Sequence, residues 1–228
     1  MNAAAGSLEL QDVGLALAGR PLFAPLTLDV PPGSVTTVMG PSGSGKSSLL
    51  AFVCGTLDPK FEAGGRVLMN GSEITALPPE RRRVGILFQD DLLFPHLSVA
   101  ENLAFGLPAA VTGRQARRQR IRAALEEAGL EGFEARDPAT LSGGQRARVA
   151  LLRTLLAEPR ALLLDEPFSR LDVALRARIR RFVFEHARTQ ALPTLLVTHD
   201  PADAAAAGGP VIQIGPGQVE VDTAPAAK

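Results

Sequence analysis

A chain of 228 residues, 46% of them hydrophobic, is long enough to bury a sizeable core, and one large domain carrying an inserted piece is the expectation. Its 24 basic and 24 acidic residues cancel, which excludes a global field drawing it to nucleic acid or an anionic membrane. A single cysteine, Cys54, excludes an intrachain disulfide and suits a reducing compartment. No run of about 18 apolar residues spans a bilayer, and residues 1–10 lack the basic start and apolar centre of a signal peptide.

Residues 7–13 and 26–30 alternate apolar with polar side chains and read as strands joined through Gly19, Arg20 and Pro21. After a Pro31-Pro32-Gly33 turn, the β-branched strand at 35–39 runs into Gly40, Pro41, Ser42, Gly43, Ser44, Gly45, Lys46 and Ser47, with a helix beginning at Ser48. This is the G-x-x-x-x-G-K-[ST] pattern, and it implies a nucleoside triphosphate. The glycines let successive N–H groups point at phosphate oxygens, the helix N-terminus adds positive potential, and Ser47 offers its hydroxyl to Mg²⁺. Lys46 supplies the charge facing the β- and γ-phosphates. It is one of only three lysines, with Lys60 and Lys228. Cys54 falls on the following helix as a small buried apolar residue.

Residues 57–65 read as a loop, 66–69 as a short strand, and Asn70-Gly71 as a hairpin turn, so an antiparallel sheet is expected beside the nucleotide-binding core. Arg81, Arg82 and Arg83 read as a solvated face before a strand at 84–88. Gln89 then opens a loop over 90–97. Ser98 and Glu101 make a capping box for a short helix through Phe105, and residues 112–128 form an Arg-rich helix closed by Gly129. Leu141, Ser142, Gly143, Gly144 and Gln145 open another helix, whose hydroxyl, glycine N–H groups and dipole make a second phosphate-binding surface. A continuous apolar strand at 161–164 delivers Asp165 and Glu166 to a sheet edge, a helix covers 173–190, and a last buried strand at 194–197 ends in Thr198, His199 and Asp200. Residues 211–214 and 219–221 form a terminal hairpin, followed by a frayed tail from Thr223. His96 reads as a loop residue and His186 as a helix-surface residue.

Together these motifs, in this order, resemble the ATP-binding-cassette (ABC) ATPases over nearly the whole chain. The resemblance implies an α/β P-loop NTPase (RecA-like) core with an antiparallel β subdomain and a helical subdomain inserted at about 90–158, all within one domain over 1–228. It implies that residues 40–48, Ser48 included, hold ATP, and that Ser47, Gln89 and Asp165 hold Mg²⁺. Glu166 acts as general base, His199 contacts the γ-phosphate, and Gln89 senses the metal and the attacking water. Ser142, Gly143, Gly144 and Gln145 serve as the signature that completes the site of a second, head-to-tail subunit, with residues 169–172 as the dimer-contacting turn. Two departures stand out. The family's adenine-stacking aromatic is replaced by Leu17, which forgoes about 1–3 kcal/mol of stacking, and Arg170 sits where a small residue is common.

The segment from Ile86 through Leu97, continued by Ser98 through Leu107, is similar to importer-type members, in which the cleft beside the loop at Gln89 receives a short helix of a membrane permease; Phe88, Leu92, Leu93, Phe94 and Leu97, within Phe88 to Leu97, are its apolar candidates. Residues 137–176 resemble most closely the ATPases of thiamine-type importers. The resulting expectation is a homodimeric ATPase subunit at the cytoplasmic face of the plasma membrane, driving solute uptake with a permease and indirectly a solute-binding protein, without nucleic acid. The alternatives are an ABC ATPase linked to nucleic acid or ribosomes, or one that drives export.

Overall fold

The computed structural model describes residues 6–88 and 90–222. Its first elements are β1 (Leu8–Leu17), β2 (Arg20–Pro21), β3 (Leu26–Val30), β4 (Val35–Met39), α1 (Lys46–Cys54), β5 (Phe61–Met69), β6 (Ser72–Glu73), α2 (Pro79–Arg82) and β7 (Val84–Leu87). Then come α3 (Val99–Gly106), α4 (Arg114–Glu127) and α5 (Gly143–Leu156). The chain finishes with β8 (Ala161–Asp165), α6 (Val173–Thr189), β9 (Thr194–Val197), α7 (Pro201–Ala207), β10 (Val211–Gly215) and β11 (Gln218–Asp222). Two compact units result. Among the described residues, one comprises 6–86, 160–166 and 180–222; the other comprises 87–88, 90–159 and 167–179.

Among the described residues the first unit carries an antiparallel sheet in the order β2-β1-β5-β6, with β3 also on β1, and a second sheet in the order β11-β10-β4-β9-β8-β7. Alternation along β1, reset by the irregularity between Leu10 and Val13, buries Leu8, Leu10, Val13 and Leu15 in the core. Strands β4, β8 and β9 are buried throughout or nearly so, as continuous apolar runs require when a parallel sheet is covered on both faces. Their inward side chains join those of β1, β5 and α1 in one cluster that includes Val38, Leu49, Leu50, Leu163 and Leu195.

Two sequence expectations are corrected here. Strand β5 begins at Phe61, inside the expected loop, because residues 61–64 pair with the far half of β1 (Leu17↔Phe61, Gly14↔Gly64). Ala63, Gly64 and Gly65 are weak strand formers, so only this long-range pairing makes them extended. The ladder shifts register between Gln11 and Gly14; there Gly65 has φ +94°, and a Cβ on it would lie 2.5 Å from the Asp12 carbonyl oxygen. The second correction concerns the arginine run. Arg82 is buried, not solvated: its guanidinium donates to the Phe52 and Val53 carbonyls at 2.7 and 2.9 Å, to Leu77 O at 2.8 Å and to Thr75 O. It thereby satisfies orphan carbonyls at the end of α1. The Asn70-Gly71 turn is as expected, with φ of +55° and +69° joining β5 to β6.

In the second unit α3, α4 and α5 pack through Val99, Leu103, Ile121, Leu125, Val149 and Leu152, all buried. The Ser98–Glu101 capping box is formed as read from the sequence. Asn102, fully buried, accepts from the Phe94 N–H at 2.8 Å and donates to the Phe94, Leu97 and Ser98 carbonyls, so it fixes the loop before α3. Cys54 is buried, as expected, and burial pushes its thiol pKa up. Leu163→Ala, a cavity-forming change in the middle of β8, should lower unfolding stability by about 2–5 kcal/mol in urea denaturation.

Candidate functional site

Strands β10, β4, β9 and β8 run parallel, so their C-terminal ends share one sheet edge. The register places Val38, Val197 and Asp165 in one row, each the ladder partner of the next. Beyond that row the three strands release the phosphate-loop sequence, the Asp165-Glu166 pair and the Thr198-His199 pair. Backbone bonds tie the exits together: Glu166 N–H donates to Val197 O at 2.9 Å, and Thr198 N–H to Val38 O at 3.3 Å.

The loop from Gly40 to Ser47 has positive φ at Gly40, Gly43 and Gly45. At Gly40 a side chain is impossible without movement, since a Cβ would sit 2.1 Å from the Ile214 carbonyl oxygen of β10. Gly45 is the N-cap of α1 and no side chain caps that helix, which leaves its first N–H groups available to an anion. Lys46 Nζ donates to the Gly40 and Pro41 carbonyl oxygens, both at 2.8 Å. Pro41, Ser42 and Ser47 are exposed and Ser48 is half-buried, while the buried Ser44 Oγ has no hydrogen-bond partner in the structure.

Asp165 is 6% exposed, and its Oδ1 is buried without a hydrogen bond. Burial raises its pKa first of all; a hydrogen bond with Ser47 and the Lys46 charge pull it back, and the Glu166 charge adds to the rise. An orphaned carboxylate oxygen beside a serine hydroxyl suits Mg²⁺, which takes few protein ligands and keeps waters and phosphate oxygens for the rest. Among the described residues no group of three or more His, Cys, Asp or Glu side chains gathers to hold a metal, so these two are the donor set that fits. Glu166 adopts φ +49°, a left-handed conformation costing a non-glycine residue about 1 kcal/mol or more. Its Oε1 lies 2.8 Å from Nδ1 of His199, whose side chain is 72% exposed against 14% for Glu166. That hydrogen bond first, and the Glu166 charge second, raise the His199 pKa above its ordinary 6.5.

In the second unit, Ser142 is the N-cap of α5 and is engaged in a capping box. Its Oγ accepts from Gln145 N–H at 3.3 Å, and Gln145 Oε1 accepts from Ser142 N–H at 2.9 Å. Gly143 and Gly144 form the first positions of that helix, and Leu141 O accepts from Arg146 at 2.7 Å. The unusual Arg170 is accommodated by Asp90 at 2.7 Å and Asp91 at 3.6 Å, while Asp172 caps α6 through Leu175 N–H. Leu92 and Phe105 are 58% and 70% exposed, with Phe94 packed against Phe105 at 4.8 Å between ring centroids.

Gln89 lies outside the described residues. Leu17, 37% exposed at the end of β1, has Phe61 of β5 as its ladder partner. Phe61 falls in a stretch whose local pattern is that of a loop, and nothing local separates Asn102 and Phe105 from ordinary helix residues. His96 is an exposed loop residue and His186 is half-buried on α6, its ring 6.2 Å from Phe182.

A family model described as "ABC transporter" matches residues 23–169. The chain is 52% identical, over 85% of its length and 89% of the relative's, to an uncharacterized ABC transporter ATP-binding protein, YnjD, of Escherichia coli. It is 37% identical to the Fe(3+) ions import ATP-binding protein FbpC of Rhizobium etli, over 94% of this chain but only 60% of that protein. A solved dimeric structure of the ATP-binding cassette MJ0796, in a post-hydrolysis state bound to ADP and Pi, superposes with a TM-score of 0.84 at 28% identity, over 97% of this chain and 99% of that one.

Titration of the His199 ring by NMR in the nucleotide-free protein should show a midpoint above 6.5, and Glu166→Gln should bring that midpoint down, since the charged Glu166 partner favours the imidazolium.

Proposed function

The chain belongs to the ABC transporter family as an ATP-hydrolysing subunit with a P-loop NTPase fold, and on that premise we propose that it powers an import system, as the homodimeric partner of a membrane permease. The observation that carries this reading is the single sheet edge at which the phosphate loop, the Asp165–Ser47 donor set and the Glu166–His199 pair meet.

In this mechanism the N–H groups of residues 40–48 and the N-terminus of α1 seat the phosphates of ATP. Lys46 leaves the Gly40 and Pro41 carbonyls for the β- and γ-phosphates, an exchange its long flexible stem permits. Leu17 and Phe61 flank the base. Ser47, Asp165 and Gln89 would hold Mg²⁺, which when bound neutralises phosphate charge. Glu166, whose backbone is left-handed at the exit of β8, takes the proton of the attacking water. His199, released from Glu166, donates to the γ-phosphate. Transfer is in line to water, so the protein contributes position and charge rather than covalent chemistry.

Ser142, Gly143, Gly144 and Gln145 of one copy complete the phosphate end of the other. A relative solved as a dimer with ADP and Pi supports that arrangement. Closure with ATP and reopening after hydrolysis would then bias a permease between two access states. The exposed pair Leu92 and Phe105, with Phe94, is the apolar anchor offered to that permease. Among the described residues no helix is long and apolar enough to cross a membrane; the chain would sit peripherally at the cytoplasmic face, held by its partner. Import over export is favoured by the relative named for Fe(3+) ions import. The thiamine-type resemblance draws no support from the relatives' names, and the solute is a property of the partner.

Glu166→Gln should slow ATP hydrolysis by about 10²- to 10⁴-fold while nucleotide still binds; turnover near that of the parent removes Glu166 from the base role. Lys46→Ala should abolish tight ATP binding by calorimetry. Mixed dimers of Lys46→Ala with Ser142→Arg should retain one working site, whereas inactivity of every mixture contradicts a site shared between subunits.

A further inference from the structure

The mechanism leaves the buried charge of Asp203 unused. Asp203, on the first turn of α7, is 3% exposed; Arg180 of α6 donates from Nη1 to its Oδ1 at 2.9 Å, and the fully buried Thr198 hydroxyl donates to its Oδ2 at 3.1 Å. Thr198 Oγ1 also accepts from the Asp200 N–H at 3.1 Å, and Asp200 in turn caps α7 through Ala202 N–H at 2.8 Å. The residue between Thr198 and Asp200 is His199.

A buried ion pair is a poor source of stability, because desolvating both charges offsets most of their attraction and apolar side chains of the same volume serve as well. What Asp203 supplies is direction. It fixes the rotamer of Thr198, and that hydroxyl fixes the backbone on the far side of His199. The imidazole itself is 72% exposed and gains little orientation from packing, so its attitude toward Glu166 rests on the backbone that bears it. We propose that Asp203, held by Arg180, is a positioning residue that aims His199 through the Thr198 hydroxyl. The proposal rests on the reading of His199 as the γ-phosphate contact, and its test separates the two.

Thr198→Val removes the hydroxyl at constant volume and leaves the Arg180–Asp203 pair intact. In the full chain it should lower kcat for ATP hydrolysis by about 10- to 10²-fold, the scale of loss that follows small misplacements of a reacting group, with KM for ATP kept within about twofold. Thr198→Ser, which keeps the hydroxyl, should restore kcat. In a His199→Ala background Thr198→Val should cost nothing further, as expected of residues acting as one unit. NMR titration of His199 in Thr198→Val should show a midpoint lowered toward 6.5 as the ring loses Glu166. Asp203→Asn reads the same quantities if the valine variant does not fold. Parental kcat with an unmoved His199 midpoint, or a full additional loss in the His199→Ala background, overturns the proposal. If His199→Ala hydrolyses at the parental rate, the γ-phosphate role fails instead, and the His199 midpoint in Thr198→Val still decides the positioning claim.

Discussion

Everything at the candidate site depends on the parallel register of β4, β9 and β8. With Val38, Val197 and Asp165 in one row, three chain segments far apart in sequence must emerge side by side. A slip of one residue would turn every side chain of a strand to the opposite face of the sheet. That outcome is prevented by burial on both faces: Leu162, Leu163, Leu164, Leu195, Leu196 and Val197 have no solvated side to tolerate an error. The rigidity is what allows a strained residue such as Glu166 to hold φ +49° at the strand's exit.

Charge is handled in two ways around that row. Where we propose that ATP binds, polar atoms are left unpaired or provisionally paired: Asp165 Oδ1 without a hydrogen bond, the first N–H groups of α1 without a side-chain cap, Lys46 resting on loop carbonyls. Where geometry must be kept, polar atoms are paired closely, as with Arg82 on the end of α1 and Asp203 between Arg180 and Thr198. The first set makes binding a replacement of weak internal contacts by stronger ones to a charged ligand. The second keeps the surrounding backbone from moving while that exchange occurs.

Much of this was legible from local pattern. The phosphate loop, the buried strands ending in Asp165-Glu166 and Thr198-His199, the Ser98–Glu101 box and the Asn70-Gly71 hairpin are each set by a few adjacent residues whose backbone or hydrogen-bond requirements have one common solution. Reading failed where a neighbour distant in sequence decides. Residues 61–65 looked like a loop and became strand because β1 offered an edge. Arg82 looked solvated and became a cap because a helix end stood within its reach. Leu17 has an aromatic ladder partner, Phe61, that only the pairing of β5 with β1 reveals.

The amino-acid sequence alone therefore determined which chemical groups this protein would carry to a nucleotide, and the family to which it belongs, because glycine spacing, strand periodicity and terminal carboxylates are local properties. Only the tertiary structure decided how those groups are aimed. That Glu166 pairs with His199, and that Arg180 of α6 reaches Asp203 of α7, are products of close approach, which depends on packing and register rather than on any neighbouring residue. Direction is set by contacts between elements, and a linear pattern does not encode which of its polar side chains will meet.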